Sequence, residues 1–379
     1  MMLCDTPTLN RCLSHQVDLN ETNEKRIIES PNLSSKYEVW EELGRGMHAN
    51  VFRGKKVASN DFFALKITKF TRLKRKRDEH NQALLNEASI LKNLDHQNII
   101  KCYEAFECQL QIVVVIELIE GGELFHYLTL NETITEMECI HFARQILDGI
   151  NYIHSKNIAH LDLKPENIML KNFMDKELVI VDFSLSRVIK QNEKLKLMQG
   201  TVEFSAPEIF NYELIGLYTD MWAFGVILYI MLTGHSPFLA DDEAQTKINI
   251  CLVDVPYDIE QFKTISKHAV ELIKVVLVKE GRLVFDFFIF TKITFRKRLT
   301  AQQAINHRWF RVANQLKSRS KSMIGTHGFR KFLSINARTK MPSIVHPRSN
   351  DEAFDQPYGQ SFFKPIIFGN TTLTRTKSF

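Results

Sequence analysis

The chain has 379 residues, 44% hydrophobic and 25% charged, an ordinary globular composition that can bury a sizeable core and excludes a wholly disordered polymer. Its net charge of +5 is uneven, because residues 311–379 carry twelve Lys and Arg against three Asp and Glu, a net of +9, which leaves −4 for the rest. The basic character therefore lies in the tail, and no nucleic-acid partner is expected. The six cysteines (Cys4, Cys12, Cys102, Cys108, Cys139 and Cys251) show no CxxC pair and no metal-ligand spacing, as expected of reduced cytosolic thiols. The N-terminus has no signal-peptide pattern and no apolar run is long enough for a membrane span, so the expected location is intracellular, cytoplasmic with access to the nucleus.

In chain order, residues 1–36 are polar and predict a disordered N-terminal extension. Strand patterns follow at Tyr37 to Leu43, Asn50 to Arg53 and Asp61 to Ile67. A helical period then runs through Ala83, Leu84, Glu87, Ile90, Leu91 and Leu94, and Gln111 to Ile116 reads as a buried strand. Beyond Gly121-Gly122 the pattern turns helical, with apolar repeats over Cys139 to His154 and Thr219 to Leu232. A small sheet lobe (37–119) followed by a larger helical lobe (120–310) predicts an α+β, bilobal domain with a cleft. Residues 311–379 predict a largely disordered tail.

Between the first two strands lies Gly44-Arg45-Gly46-Met47-His48-Ala49-Asn50-Val51, with Leu43 just before it. Glycines there let backbone N–H groups approach phosphates, although paired glycines alone mark any hairpin. Ala64-Leu65-Lys66 strengthens the reading, since a lysine in an apolar strand needs an anionic partner. ATP phosphates and Glu87 are the two candidates. Val51, Ala64, Met169 and Ile116 would wall the adenine, and the backbones of Glu117 and Ile119 would bind its edge.

The run His160-Leu161-Asp162-Leu163-Lys164-Pro165-Glu166-Asn167, with Asp182-Phe183-Ser184 fifteen residues on, carries the chemistry. Asp162 is the candidate base for a substrate hydroxyl and Lys164 the cation for a transferring phosphate. Asn167 and Asp182 are oxygen donors of the kind magnesium prefers. The set points to phosphoryl transfer from ATP to an alcohol.

With Ala206-Pro207-Glu208 and Asp220-Met221-Trp222-Ala223-Phe224-Gly225, the chain from Tyr37 to about Phe310 resembles the eukaryotic protein kinase family. The resemblance implies a protein kinase fold, ATP and Mg2+ as cofactors, Thr201 within the catalytic set, and a pairing of Glu208 with Arg298. Lys164 after the catalytic aspartate is similar to the serine/threonine branch. Leu161 stands where most kinases carry arginine, which implies activity without a phosphate on the activation segment. That leucine, the basic run Arg72 to Arg77, Gly121 to Phe125 and Ser236-Pro237-Phe238 resemble the death-associated protein kinase family of the calcium/calmodulin-dependent group. Relatives there phosphorylate basic proteins such as myosin light chain and act in apoptosis or cytoskeletal signalling. Glu123 and Glu166 would favour basic substrates, with ribose contact as the other reading of Glu123. The tail segment Gln315 to Lys340, seven basic residues and no acidic one, resembles a calmodulin-binding segment, here bounded at 315–345.

Three departures stand out. Ala49 replaces the third loop glycine, and Ser184 replaces the glycine after Asp-Phe. Residues 281–294 insert an apolar, β-prone stretch whose excision restores a family-like junction, as expected of translated intron sequence or of an insertion that packs on the tail or a partner. Ser184 and the insertion motivate a second reading, a nucleotide-binding scaffold with impaired catalysis.

Overall fold

Period-two alternation builds the first sheet. Helix α1 (Leu33–Lys36) leads into strands β1 (Tyr37–Arg45), β2 (Ala49–Lys56) and β3 (Phe62–Thr68), followed by helix α2 (Lys74–Leu91), β4 (Cys102–Cys108) and β5 (Gln111–Ile116). The strands form one antiparallel sheet in the order β1-β2-β3-β5-β4. Along β5, Val113 and Val115 enter one apolar layer with Tyr37, Val39, Leu65 and Phe106. Ile112 and Val114 enter the opposite layer with Ala49, Leu84, Ala88 and Ala105, because successive strand side chains point to opposite faces. Helix α2 meets that second layer with Leu84, Glu87, Ala88 and Leu91 buried at helical spacing.

The computed structural model describes residues 33–311, except 109, 131–132, 173, 175, 191–199, 280–281, 286–292 and 297, together with 323–325; for 282–285, 293–296, 323 and 325 it describes the backbone alone. The expected N-terminal extension, save its last residues, and most of the expected tail lie outside the described residues, as does its calmodulin segment (315–345) apart from Met323–Gly325.

Residues 33–92 and 102–118 make one compact unit; residues 93–101 and those from 119 onward make a second. The expected lobe boundary therefore differs at Asn93–Lys101, which groups with the helical unit. The cause is non-local pairing: Asn98 Nδ2 donates to Leu178 O at 2.8 Å, and the Ile100 and Ile180 N–H groups bond Ile180 O and Asn98 O at 3.0 and 2.9 Å.

The second unit continues with α3 (Leu124–Leu130), β6 (Thr133–Thr135), α4 (Glu136–Ser155), β7 (Ile158–Ala159), β8 (Ile168–Leu170), β9 (Leu178–Ile180) and β10 (Arg187–Val188). Helices α5 (Pro207–Phe210), α6 (Leu217–Thr233), α7 (Glu243–Leu252) and α8 (Lys267–Val276) follow. Helix α4 starts at a reciprocal cap, in which Thr135 Oγ1 accepts from Glu138 N and Glu138 Oε2 accepts from Thr135 N. Helix α6 is buried continuously from Thr219 to Thr233, on every side, and so forms the centre of this unit. Strands β11 (Arg282–Phe285) and β12 (Ile293–Arg296) pair antiparallel, so the inserted stretch builds a β-ladder. After α9 (Ala301–Ile305) and α10 (Arg308–Arg311), strand β13 (Met323–Gly325) pairs with β6, setting Ile324 opposite Ile134, both buried. Among the described residues no helix is long and apolar enough to cross a membrane.

Gly121 carries a packing constraint. A Cβ there would lie 2.5 Å from Leu170 O and 2.8 Å from the Asn172 carbonyl carbon, both backbone atoms that cannot step aside cheaply. Gly121→Ala is expected to destabilise the protein by roughly 1–3 kcal/mol in denaturant titration; an unchanged midpoint would contradict this packing.

Candidate active site

The first unit supplies the lysine. Lys66 lies on β3 opposite Val51 and Val114, and Glu87 lies in the buried stripe of α2. A carboxylate in an apolar stripe needs a buried cation, and Lys66 Nζ meets both Glu87 oxygens at 2.7 Å with the two side chains only 13% and 4% exposed. In the β1–β2 turn, Gly46 N donates to Ala49 O at 2.8 Å, and a Cβ on Gly46 would come within 3.2 Å of that oxygen. The Ala49 methyl is buried against Leu84 and Ala88, so alanine at this departure is a packing choice. The His48 ring stands edge-on to the His80 ring of α2, centroids 5.4 Å apart. Met47 is exposed, and Arg45 is engaged by Glu42 through Nε and Nη2, so it serves a surface ion pair. Ala64 is buried and pairs with Ile116, while Leu43, Asn50, Val51, Ile116 and Glu117 are half-buried.

The second unit supplies the carboxylates. After β7, three successive side chains turn to three surroundings. His160 puts Nε2 at 3.1 Å from Val181 O and its ring edge-on to Phe183. Leu161 enters an apolar cluster with Ile209 and Ile215. Asp162 accepts from Lys164 Nζ at 2.6 Å and from Asn167 Nδ2 at 3.1 Å, and the same Nδ2 bonds the Asp162 carbonyl at 2.7 Å. Val181 N donates to Asn167 O at 3.0 Å, tying the segment before Asp182 to this loop.

Asp220 organises the loop from below. Its two oxygens accept from the backbone N–H groups of His160 and Leu161, each at 2.8 Å, and His154 Nε2 lies 2.8 Å from Oδ2. The sequence marks Asp220 only as part of a motif, although an acidic residue in so apolar a helix signals a buried partner set. The sequence marks His160 only as the first residue of the reactive run and His154 only as the end of a helical repeat. The expected Glu208–Arg298 pair is bidentate, 2.6 and 2.8 Å, with Arg298 fully buried.

Asp182 holds φ at 61°, a left-handed angle unfavourable for a residue with a side chain, whereas Ser184 lies outside that region. Glycine's special freedom is thus not required at 184 here, and the strain sits on the candidate metal ligand itself. Asn167 Nδ2 donates to both the carbonyl and the carboxylate of Asp162, which turns its Oδ1 away as a hard oxygen acceptor. Among the described residues no group of three or more His, Cys, Asp or Glu is placed to hold a metal ion. The amide oxygen of Asn167 and the carboxylate of Asp182 are hard donors of the kind that fit magnesium, which takes few protein oxygens and completes its shell with phosphates and water. Met169 bridges Glu123 through the backbone, and Glu166 is half-buried in the Pro165–Asn167 turn. Ile119 is half-buried. Thr201 O accepts from Phe204 N and Ser205 Oγ, and among the described residues Thr201 takes no part in the bonds around Asp162.

The protein kinase domain family model matches residues 37–310. The chain belongs to that family, with the protein kinase fold, and is a protein serine/threonine kinase; members of the family generally use ATP and Mg2+. Among its relatives, human death-associated protein kinase 2 is 39% identical over 300 residues, covering 78% of this chain and 77% of the relative. Human myosin light chain kinase family member 4 is 38% identical over 290 residues, 76% of this chain and 70% of the relative. Among solved structures, the autoregulated twitchin kinase fragment of C. elegans superposes with a TM-score of 0.71 at 30% identity, covering 83% of this chain and 66% of that one. The autoinhibited serine kinase domain of titin superposes at 0.68 and 28%, covering 80% and 88%.

Proposed function

We propose that this kinase transfers the γ-phosphate of ATP to serine or threonine in proteins with basic residues near the target. The observation that carries the reading is the Asp162 carboxylate, held by Lys164 and Asn167 on a loop whose backbone Asp220 fixes. A substrate hydroxyl gives its proton to Asp162 while its oxygen attacks the γ-phosphorus. The bond to the β–γ bridging oxygen breaks, and ADP leaves. Lys164 neutralises the transferring group, and Lys66, oriented by Glu87, holds the remaining phosphates. Asn167 and Asp182 would hold magnesium, which supplies charge neutralisation to the phosphates when bound.

The loop Leu43 to Val51, with Ala64, Ile116, Glu117, Ile119 and Met169, would bind the nucleotide, and Thr201 would complete the catalytic set. Glu123 and Glu166 supply negative charge suited to arginine or lysine beside the target hydroxyl. Relatives named death-associated and myosin light chain kinases support a role in apoptosis or in acting on myosin light chain, in cytoplasm or nucleus. Calmodulin, acting on residues 315–345, is the proposed regulator, and 37–310 the proposed catalytic domain, with 281–294 inserted. The scaffold reading loses support because Ser184 imposes no unusual backbone angle.

The purified full chain with radiolabelled Mg-ATP is expected to phosphorylate a basic serine peptide in preference to an acidic one. Label no higher than a no-enzyme blank would refute the reading. Added calcium-calmodulin is expected to raise the rate; an unchanged rate removes the calmodulin component alone.

A further inference from the structure

We propose that His80 is a positioning residue for the nucleotide: with His48 and the Lys69 peptide it ties the phosphate loop to the helix that carries Glu87. The inference rests on the reading above that the loop Leu43 to Val51 binds ATP. His48 directly precedes β2, and its ring stands edge-on to the His80 ring, centroids 5.4 Å apart and planes at 64°. The Lys69 peptide closes the contact from the other side. Its N–H donates to His48 O at 2.9 Å, and its carbonyl lies 3.2 Å from His80 Nδ1. A carbonyl only accepts, so Nδ1 carries the hydrogen. The loop, the chain leaving β3 and helix α2 thus meet in one closed circuit.

The helix makes this more than local packing. His80, Leu84, Glu87 and Leu91 recur at i, i+4, i+7 and i+11 and are all buried, so they form one stripe of α2. His80 is only 6% exposed. The next loop residue, Ala49, packs with Leu84 and Ala88 of the same helix. Loop residues 48 and 49 are therefore both seated on α2. From the strand side, Glu87 holds Lys66, and three residues later His80 holds the Lys69 carbonyl.

A rotation of α2 that withdraws Glu87 from Lys66 would also pull His80 from the loop. Loop and ion pair keep or lose register together. Nucleotide held by the loop then favours the helix position in which Glu87 faces Lys66, and the coupling is reciprocal. An imidazole suits the position because it offers both an aromatic edge for His48 and a donor for Lys69 O. Phenylalanine offers only the first, and asparagine only the second.

The test uses the full chain. His80→Ala is expected to raise Kd for Mg-ADP and KM for ATP about three- to tenfold, the scale of one aromatic pair with one hydrogen bond. The kcat should stay within about threefold, because Glu87 keeps its own bonds to Lys66. His80→Phe and His80→Asn should each recover part of the nucleotide affinity. His48→Ala should weaken Mg-ADP binding to a similar extent, and the double variant should stay within about twofold of the weaker single one, since both changes remove one contact. Parental Kd and KM in His80→Ala, or single effects that multiply in the double variant, would overturn the tie. Hydrogen exchange on the unaltered chain decides it without any variant. Mg-ADP is expected to slow exchange of amides 77–84 in the first half of α2, and nucleotide binding without that protection would also overturn the tie. A parental chain that binds no nucleotide would refute the reading above and the tie with it, whereas binding indifferent to His80 removes the tie alone.

Discussion

Asp162→Ala is expected to lower kcat by about 10²–10⁴ while ATP binding stays within a few fold. The effect is chemical because the loop keeps its other restraints. The shorter bond of Asn167 goes to the Asp162 backbone carbonyl, 2.7 Å against 3.1 Å to the carboxylate, and so survives the substitution. Asp220 still holds the N–H groups of His160 and Leu161. The unfolding midpoint should therefore move by less than about 4 °C, the shift that roughly 1 kcal/mol produces in a domain of this size. Steady-state kinetics beside a thermal melt separates the two readings. A parental kcat would remove Asp162 from the mechanism, and a collapsed melt would make its role structural.

Arg298→Ala is expected to be the most destabilising single change, by about 3–5 kcal/mol, because it strands a buried carboxylate. Glu208 is 3% exposed and Arg298 fully buried, with both carboxylate oxygens bonded. Arg298 also donates Nε to Val278 O at 2.7 Å and lies 4.9 Å over the Trp222 ring. A midpoint drop on the order of 10 °C in calorimetry is expected. Arg298→Lys should recover only part of it, since an ammonium cannot present the planar fork. Joint replacement, Arg298→Met with Glu208→Leu, should be milder than the single change, because no buried charge is left alone. A double variant worse than the single one would contradict this account.

The two predictions draw on different amounts of sequence information. Asp162, Lys164 and Asn167 are close in the chain, so their spacing alone announced a shared chemical task. The partnership of Glu208 with Arg298 was expected only through a family resemblance, ninety residues apart. Lys66 and Glu87 fall between these cases. Each breaks an apolar pattern, and a charge in an apolar stripe implies a partner without naming it. Ser184 shows the opposite limit. Its residue type suggested a backbone conflict, yet the left-handed angle lies on Asp182, because the path of a loop is set by what it packs against.

By itself the sequence marked most elements and the chemistry: strand patterns pointed to four of the five sheet strands but not Cys102–Cys108, helical periods over Ala83–Leu94 and Cys139–His154 fell largely within Lys74–Leu91 and Glu136–Ser155, and contiguous polar residues marked the reactive loop. Those signals are local, carried by side-chain direction within a few residues. Only the tertiary structure decided that Asn93–Lys101 joins the helical unit, that Asp220 pins the loop from a buried helix, and that Leu161 is buried in a cluster with Ile209 and Ile215. Each of these depends on hydrogen bonds or apolar contacts between residues far apart in the chain, which no short-range pattern records.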